Sequence, residues 1–169
     1  DMGFKVLLVE KSPSIGGKMA LLSKVFPTLD CASCIVTPKM AAVQHHPNID
    51  LLVYADVLEV VRRVKGDFNA IILRRPTYVD FSKCTACTWC EKICPIVIPD
   101  EFNFDLRGRK AVYIAFDVAI PKKAVIDIDN CLMCCLCENV CPADAINFLD
   151  QQMKFNIRVK AVIIATGYR

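Results

Sequence analysis

Two short runs of cysteine constrain this 169-residue chain more than any other feature. The first run consists of Cys84, Cys87, Cys90 and Cys94, and the second of Cys131, Cys134, Cys137 and Cys141. Both follow the spacing Cys-x2-Cys-x2-Cys-x3-Cys-Pro, with Pro95 and Pro142 in the last position. The flanking residues repeat at the same offset of 47 positions, which matches Asp80 with Asp127. An internal duplication is the simplest account of this pattern.

Cysteines at this spacing are typical of bacterial ferredoxins that hold two four-iron, four-sulfur ([4Fe-4S]) clusters. Three thiolates at intervals of three residues on a tight turn reach three irons of one cluster, so its fourth ligand comes from elsewhere. In that fold the fourth cysteine of each run ligates the other cluster. The predicted ligand sets are Cys84, Cys87, Cys90 and Cys141 for one cluster, and Cys131, Cys134, Cys137 and Cys94 for the other.

The main alternative for these cysteines is structural zinc. A zinc site takes four ligands, usually as two separated pairs, whereas here one strict spacing occurs twice. Clusters are therefore favoured over zinc. Cys135 stands outside both runs, and we expect a small buried side chain there rather than a reactive thiol.

The composition excludes several classes of protein. A hydrophobic fraction of 54% is too high for a disordered chain, and the longest apolar stretches are much shorter than the roughly 20 residues that span a bilayer. The odd number of cysteines, 11, and their close spacing argue against a secreted disulfide framework. We therefore predict a cytoplasmic protein with reduced thiols and without a transmembrane segment.

The net charge gives no indication of nucleic-acid binding. The chain has 21 basic and 18 acidic residues without a long basic run, so nucleic acid is not an expected partner. Two clusters at roughly −2 each would change the formal charge of +3 to about −1. Basic residues between the cysteine runs then offset cluster charge, contact an acidic partner or form ordinary surface; these are Arg107, Arg109, Lys110, Lys122 and Lys123.

The ends of the chain have α/β character. Residues 4–9 predict a buried parallel strand, residues 49–54 a second strand, and residues 57–64 with 68–75 a β-hairpin. A helix is expected within 38–43, and the apolar residues 155–165 predict a further strand. We therefore divide the chain into a partial dinucleotide-binding domain over 1–75, an inserted α+β ferredoxin domain over 76–150 and a return strand over 151–169.

Glu10 follows the first predicted strand, where an acidic side chain in a dinucleotide-binding fold accepts hydrogen bonds from a ribose. Gly16 and Gly17 form the turn after it, and residues 162–167 resemble the strand and turn beside the cofactor in two-dinucleotide flavoproteins. The glycine-rich G-x-G-x-x-G sequence is missing. It would precede Asp1, so we expect this chain to be an internal piece of a longer polypeptide.

Further motifs accompany the two cysteine runs. They are Val9-Glu10-Lys11, Gly16-Gly17-Lys18-Met19-Ala20, Phe26-Pro27-Thr28-Leu29-Asp30-Cys31 with Cys34, Thr37-Pro38-Lys39-Met40, His46-Pro47-Asn48-Ile49, Arg109-Lys110-Ala111 and Ala165-Thr166-Gly167-Tyr168. In this order they resemble the A subunit of heterodisulfide reductase, an FAD-containing iron–sulfur flavoprotein of methanogenic archaea and other anaerobes. The resemblance implies a thioredoxin-reductase-like FAD domain with an inserted two-cluster ferredoxin domain.

The resemblance also implies site residues around FAD. They are Glu10, Gly16, Gly17 and Gly167 in cofactor binding, with Lys18 and Lys39 as candidates near the flavin. Cys31 and Cys34 match a cysteine pair of the family that ligates a further [4Fe-4S] cluster together with cysteines elsewhere. A redox dithiol is the second interpretation of this pair, and two inert thiols are the third.

In the resembled family, FAD splits electron pairs that arrive from a hydrogenase or a formate dehydrogenase. One electron goes toward ferredoxin and the other toward the subunit that reduces the mixed disulfide of coenzymes M and B. The resemblance thus implies an oxidoreductase subunit whose partners are the other subunits of such a complex. Two alternatives remain open: a flavin-free, polyferredoxin-like electron carrier, and the related flavoprotein of a quinone-linked or aromatic-acid-reducing complex.

Overall fold

The computed structural model describes residues 2–167, so the chain start at Asp1 and the motif residue Tyr168 lie outside the described residues. Its strands and helices are β1 (Val6–Val9), β2 (Lys24–Val25), β3 (Asp30–Cys31), α1 (Ala32–His45), β4 (Ile49–Leu52), β5 (Ala55–Val64), β6 (Asp67–Arg74), α2 (Trp89–Ile93), β7 (Ile98–Pro99), β8 (Gly108–Arg109), β9 (Val112–Ile114), β10 (Ala124–Ile126), α3 (Leu136–Val140) and β11 (Met153–Val159). Short 3-10 turns occupy Gly17–Leu21, Glu101–Asn103 and Ile128–Asn130. Among residues 2–167, no helix combines the length and the apolar character that crossing a membrane requires.

The first strand lies beside the fourth in a parallel pair, with Val6 opposite Ile49 and Val9 opposite Leu52. The predicted parallel pairing is confirmed, although the strand begins at Val6 instead of residue 4 and is only partly buried, with Val6 exposed. Helix α1 connects the pair and packs Met40 against Ile15 in a small apolar core. Because parallel strands need such a crossover, these elements form one βαβ connection of an α/β sheet.

Helix α1 begins earlier than the sequence indicated. The Sγ atom of Cys31 accepts a hydrogen bond from the backbone N–H of Cys34 at 3.2 Å and so caps the first turn. The helix continues through Pro38, which has no N–H to donate to the carbonyl of Cys34. Capping and packing on the strands therefore extend the helix on both sides of the expected range.

The hairpin predicted over residues 57–75 is confirmed as β5 and β6, which pair antiparallel. Strand β11 adds to the free side of β6, with Met153 opposite Arg74 and Val159 opposite Phe68. The strand expected over 155–165 therefore ends at Val159, and Ile163 in the following segment is 91% exposed. Pairing with β6, rather than apolar character alone, determines where this strand lies.

The chain between β6 and β11 begins and ends at one point of this sheet. The Arg74 guanidinium donates to both carboxylate oxygens of Asp150, at 2.6 and 3.2 Å, and the Thr77 N–H donates to the same carboxylate at 2.9 Å. Burial alone would raise the pKa of Asp150, but these hydrogen bonds hold that pKa below its usual range. An inserted unit whose two ends adjoin in this way leaves the surrounding sheet continuous.

The segment between those ends shows the duplication in its backbone. Helices α2 and α3 are related by the same offset as the cysteine runs, and each follows a residue in left-handed conformation, Thr88 (φ 67°) and Cys135 (φ 58°). Strands β9 and β10 pair antiparallel, and an antiparallel bridge joins Val79 to Ile146. Buried residues from both halves form one apolar core, which includes Val79, Val112, Ala124, Ile126, Ala145 and Ile146.

Candidate metal centres

One pocket in this segment, called site 1 here, has a volume of about 360 Å³, which includes the part that is open to solvent. Its sulfur-bearing residues are Cys84, Cys87, Cys90 and Cys141. Cys84 and Cys87 lie on the turn that leads into α2, and Cys90 is the second residue of that helix. Cys141 comes from the other repeat, directly after the last residue of α3. Apolar side chains, among them Val79 and Ala124, complete the wall.

A second pocket, called site 2 here, has a volume of about 330 Å³, which also includes its solvent-open part. Its lining cysteines are Cys94, Cys131, Cys134, Cys135 and Cys137, with Val112, Ile126 and Phe148 among the apolar neighbours. Each site thus takes three run cysteines from one repeat and a fourth from the other. The structure brings together the same two sets of four that the sequence analysis assigned to two clusters.

Left-handed residues between the cysteines give each turn its shape. Ala86 (φ 59°) and Thr88 (φ 67°) hold this conformation at site 1, and Met133 (φ 51°) and Cys135 (φ 58°) hold it at site 2. Backbones that alternate between right- and left-handed residues turn successive N–H groups toward one side and favour a bound anion. The turns are therefore suited to surround a negatively charged group.

At each site, a backbone N–H group contacts the sulfur of one candidate ligand. Met133 donates to Cys131 Sγ at 3.3 Å, and Ala145 donates to Cys141 Sγ at 3.4 Å. Hydrogen bonds to sulfur are one of the means by which a protein adjusts an iron–sulfur cluster.

Burial disfavours the ionised form of two other cysteines, Cys90 and Cys137. It raises the pKa of Cys90 to about 12 and that of Cys137 to about 11. Without a metal these thiols are protonated at neutral pH, so metal binding would release their protons. The apolar walls beside Cys90 and Cys137 make these two positions costly for an unpaired thiolate.

The donor set fits iron–sulfur clusters. All of the candidate ligands are sulfur, and thiolates select for iron–sulfur clusters, zinc or copper(I). Among residues 2–167, no group of three or more His, Cys, Asp or Glu side chains is arranged to hold a metal ion. Four run cysteines line a cavity at each site.

The basic residues between the two runs differ in what they contact. Lys110 Nζ donates to the backbone oxygen of Cys94 at 2.8 Å, and Lys123 Nζ donates to that of Cys84 at 2.5 Å. Arg109 instead forms an ion pair with Asp127 at 2.8 Å, and its guanidinium lies over the ring of Tyr113. The remaining two, Arg107 and Lys122, are exposed.

Three of the predicted FAD-binding residues lie together after β1. The Glu10 carboxylate accepts a hydrogen bond from the Ser12 N–H at 2.7 Å and so fixes the turn. Gly16 has φ 120°, and a Cβ atom there would lie 3.0 Å from Met40 Sδ, so any other residue would be both strained and crowded. Gly17 has φ 52° with open space around it.

The other predicted flavin residues lie outside this turn or at its surface. Gly167 belongs to the exposed segment after β11, while Lys18 lies on the 3-10 turn and Lys39 on α1, both exposed. Cys31 and Cys34 form a disulfide at the start of α1, with their Cα atoms 5.2 Å apart. Use of this pair as cluster ligands would require its reduction to thiolates.

A contact that the sequence did not indicate joins the turn after β1 to the cysteine-rich segment. The buried Ser14 Oγ accepts a hydrogen bond from the Ile120 N–H at 2.8 Å, and the Ile15 N–H donates to the Ile120 oxygen at 3.0 Å. Phe81 packs against the apolar cores on both sides. A serine within a Ser-Pro-Ser turn carries no signal for a partner more than 100 positions away.

Comparison with known proteins agrees with this geometry. Residues 80–145 match the family described as a 4Fe-4S dicluster domain. The chain is 54% identical over 168 residues to the second iron-sulfur A subunit of the CoB–CoM heterodisulfide reductase of Methanopyrus kandleri, covering 99% of this chain and 26% of that protein. It is 48% identical over 168 residues to the A subunit of the H2/formate:CoB–CoM heterodisulfide, ferredoxin reductase of Methanococcus maripaludis, covering 99% of this chain and 25% of that protein.

A third relative, from Archaeoglobus profundus, is described as similar to the heterodisulfide reductase A subunit; it is 50% identical over 127 residues, which are 74% of this chain and 18% of that protein. The chain therefore spans about a quarter or less of the length of these relatives. The match to the first two extends over nearly every residue of this chain, beyond the dicluster domain at both ends. Along nearly its whole length, this chain is therefore homologous to one segment of heterodisulfide reductase A subunits, and its residues 80–145 match a 4Fe-4S dicluster domain.

Proposed function

We propose that this chain binds two [4Fe-4S] clusters, one at site 1 and one at site 2, and transfers electrons between them as part of an oxidoreductase subunit. The observation that carries the proposal is the convergence of four run cysteines on each pocket, three from one run and one from the other. When bound, each cluster supplies one-electron redox chemistry. The chain supplies the thiolate ligands, the hydrogen bonds to sulfur and a largely apolar pocket lining.

The spacing of the two sites suits transfer between them. Ala124 lines site 1 and Ile126 lines site 2, and both belong to strand β10. Two residues along a strand correspond to about 7 Å, so only a thin apolar wall lies between the two cavities. This wall excludes water from the space between the sites while keeping them close.

The cluster proposal is tested by analysis of the full-length protein purified without oxygen. We expect about eight iron atoms in the dicluster segment and a matching amount of acid-labile sulfide. Cys141→Ala should damage the cluster at site 1, since its fourth ligand comes from the second run. Cys135→Ala is the matched control and should keep both clusters. Zinc without sulfide, or loss of only the site 2 cluster in the Cys141 variant, would contradict the proposal.

The wider proposal concerns the whole protein. Its relatives are named as reductases of the CoB–CoM heterodisulfide, and one name includes H2, formate and ferredoxin. By analogy, this chain acts in a heterodisulfide reductase-type complex, with a hydrogenase or formate dehydrogenase as electron donor, ferredoxin as a further partner and FAD as the branching cofactor. Glu10, Gly16 and Gly17 would face the FAD, with Gly167, Lys18 and Lys39 as further candidates.

The flavin part of the proposal has its own measurement. Extraction of the full-length protein should release FAD, and Gly16→Ala should lower the FAD content more than Gly17→Ala because only Gly16 lies against Met40. Iron content should stay unchanged in both variants. A full-length protein with both clusters but without FAD would support the flavin-free electron carrier instead.

A further inference from the structure

Two lysines contact ligand cysteines of different sites. Lys110 Nζ donates to the backbone oxygen of Cys94, which lines site 2, and Lys123 Nζ donates to that of Cys84, which lines site 1. Both bonds are partly buried. Each site therefore has one ammonium group fixed to the main chain of one of its own cysteines.

The strands explain why each lysine serves a different site. Lys123 immediately precedes β10, and Lys110 lies two positions before β9. These strands pair antiparallel, with Val112 opposite Ile126, so the two lysines lie at opposite ends of the ribbon. Ala124, next to Lys123, lines site 1, whereas Val112 and Ile126 line site 2.

A fixed positive charge favours the more negative state of a nearby redox group. One-electron reduction adds a negative charge to a cluster, and partial burial limits the screening of the ammonium by water and salt. The exposed Lys122 carries the same formal charge one position from Lys123. Its charge is screened by solvent, so the two neighbours differ in contact and burial rather than in charge.

We infer that Lys110 and Lys123 are positioning residues that separately raise the reduction potentials of the two clusters, Lys110 at site 2 and Lys123 at site 1. This inference rests on the proposed binding of a cluster at each site. It concerns the chain's own cations and goes beyond the presence of the clusters. The duplicated ligand spacing would by itself give two similar sites, and the lysines let each potential be set independently.

The test is a mediated redox titration of the full-length, cluster-loaded protein, followed by EPR spectroscopy. Lys110→Met should make one of the two reduction steps about tenfold less favourable, a shift of about 59 mV to lower potential for a one-electron couple. Lys123→Met should shift the other step by a similar amount. Lys110→Arg and Lys123→Arg should restore the original potentials, and Lys122→Met should shift neither step.

Iron and sulfide content separates failure of this inference from failure of the cluster proposal. A wild-type protein without clusters would contradict the proposed function itself. With both clusters present, unchanged potentials in both methionine variants would overturn the inference, as would an equal shift from Lys122→Met. Where a methionine variant loses iron, the glutamine variant at the same position keeps a donor without the charge. A glutamine variant with full iron and an unchanged potential would also overturn the inference.

Discussion

The ion pair between Arg74 and Asp150 lies where the cysteine-rich segment joins the sheet, and it allows a direct test of how this segment is attached. Arg74 ends β6, Asp150 lies shortly before β11, and their side chains form two hydrogen bonds. Asp150 is only 17% exposed and also accepts from the Thr77 N–H. Asp150→Asn keeps the shape of the side chain but removes its charge, so it changes this junction with little effect on packing.

The expected cost follows from the hydrogen bonds that the change weakens. A hydrogen bond between charged groups contributes about 1.5–3 kcal/mol to stability. In the Asp150→Asn variant, the amide oxygen can still accept one of the two bonds from Arg74, so the variant should lose about 2 kcal/mol of stability at this junction. Asp150 lies beside the end of the β6–β11 ladder, where Arg74 is opposite Met153. The loss should therefore appear as local opening of β11, about 30-fold more frequent than in the wild type.

Hydrogen–deuterium exchange of the full-length, cluster-loaded protein measures this opening. Amides of β11 should exchange about 30-fold faster in the Asp150→Asn variant. Asp144→Asn is the matched control, because its carboxylate is 90% exposed and lies 3.8 Å from the Lys83 ammonium, and such pairs contribute little. Unchanged exchange in β11, or an equal effect from the control, would refute the assignment of this ion pair as the clamp of the segment.

Three other changes follow from buried groups. Ser14→Ala leaves the Ile120 N–H without its side-chain partner and should cost about 1–3 kcal/mol, seen as faster amide exchange at Ile120 with β11 unaffected. Gly16→Ala should lower the thermal unfolding temperature more than Gly17→Ala, since both have positive φ but only Gly16 is crowded. After removal of iron, alkylation of Cys90 should remain slow at about pH 8 and accelerate above about pH 10, because burial raises its pKa to about 12; fast alkylation at the lower pH would contradict this.

The candidate sites were more predictable from sequence than the frame that carries them. Cysteine spacing is a local property, so it indicates the turn and the number of ligands directly, and the crossed sets at both pockets agree with it. Apolar character predicts the last strand over 155–165, whereas β11 spans Met153–Val159. The two ranges differ because apolar character does not identify the hydrogen-bonding partner, which is β6. The link from Ser14 to Ile120 depends on tertiary contact and leaves no periodic signal.

The two sites are inequivalent although their ligand spacing is identical. In the first repeat, Val112 pairs with Ile126 and follows Cys94 by 18 positions. In the second repeat, the corresponding residue is Ile146, which pairs with Val79 and follows Cys141 by only five positions. The first repeat therefore contains an extra stretch after its last cysteine, and this stretch includes β7 and β8.

Lys110 lies at the end of that stretch, and the residue in the matching position before Ile146 is Asp144, whose carboxylate is exposed. Lys123 likewise has Pro76 as its counterpart at the offset of 47. Each cation is therefore present in only one of the two repeats. Duplication thus accounts for the ligands, and the later divergence of the connecting segments accounts for what distinguishes one site from the other.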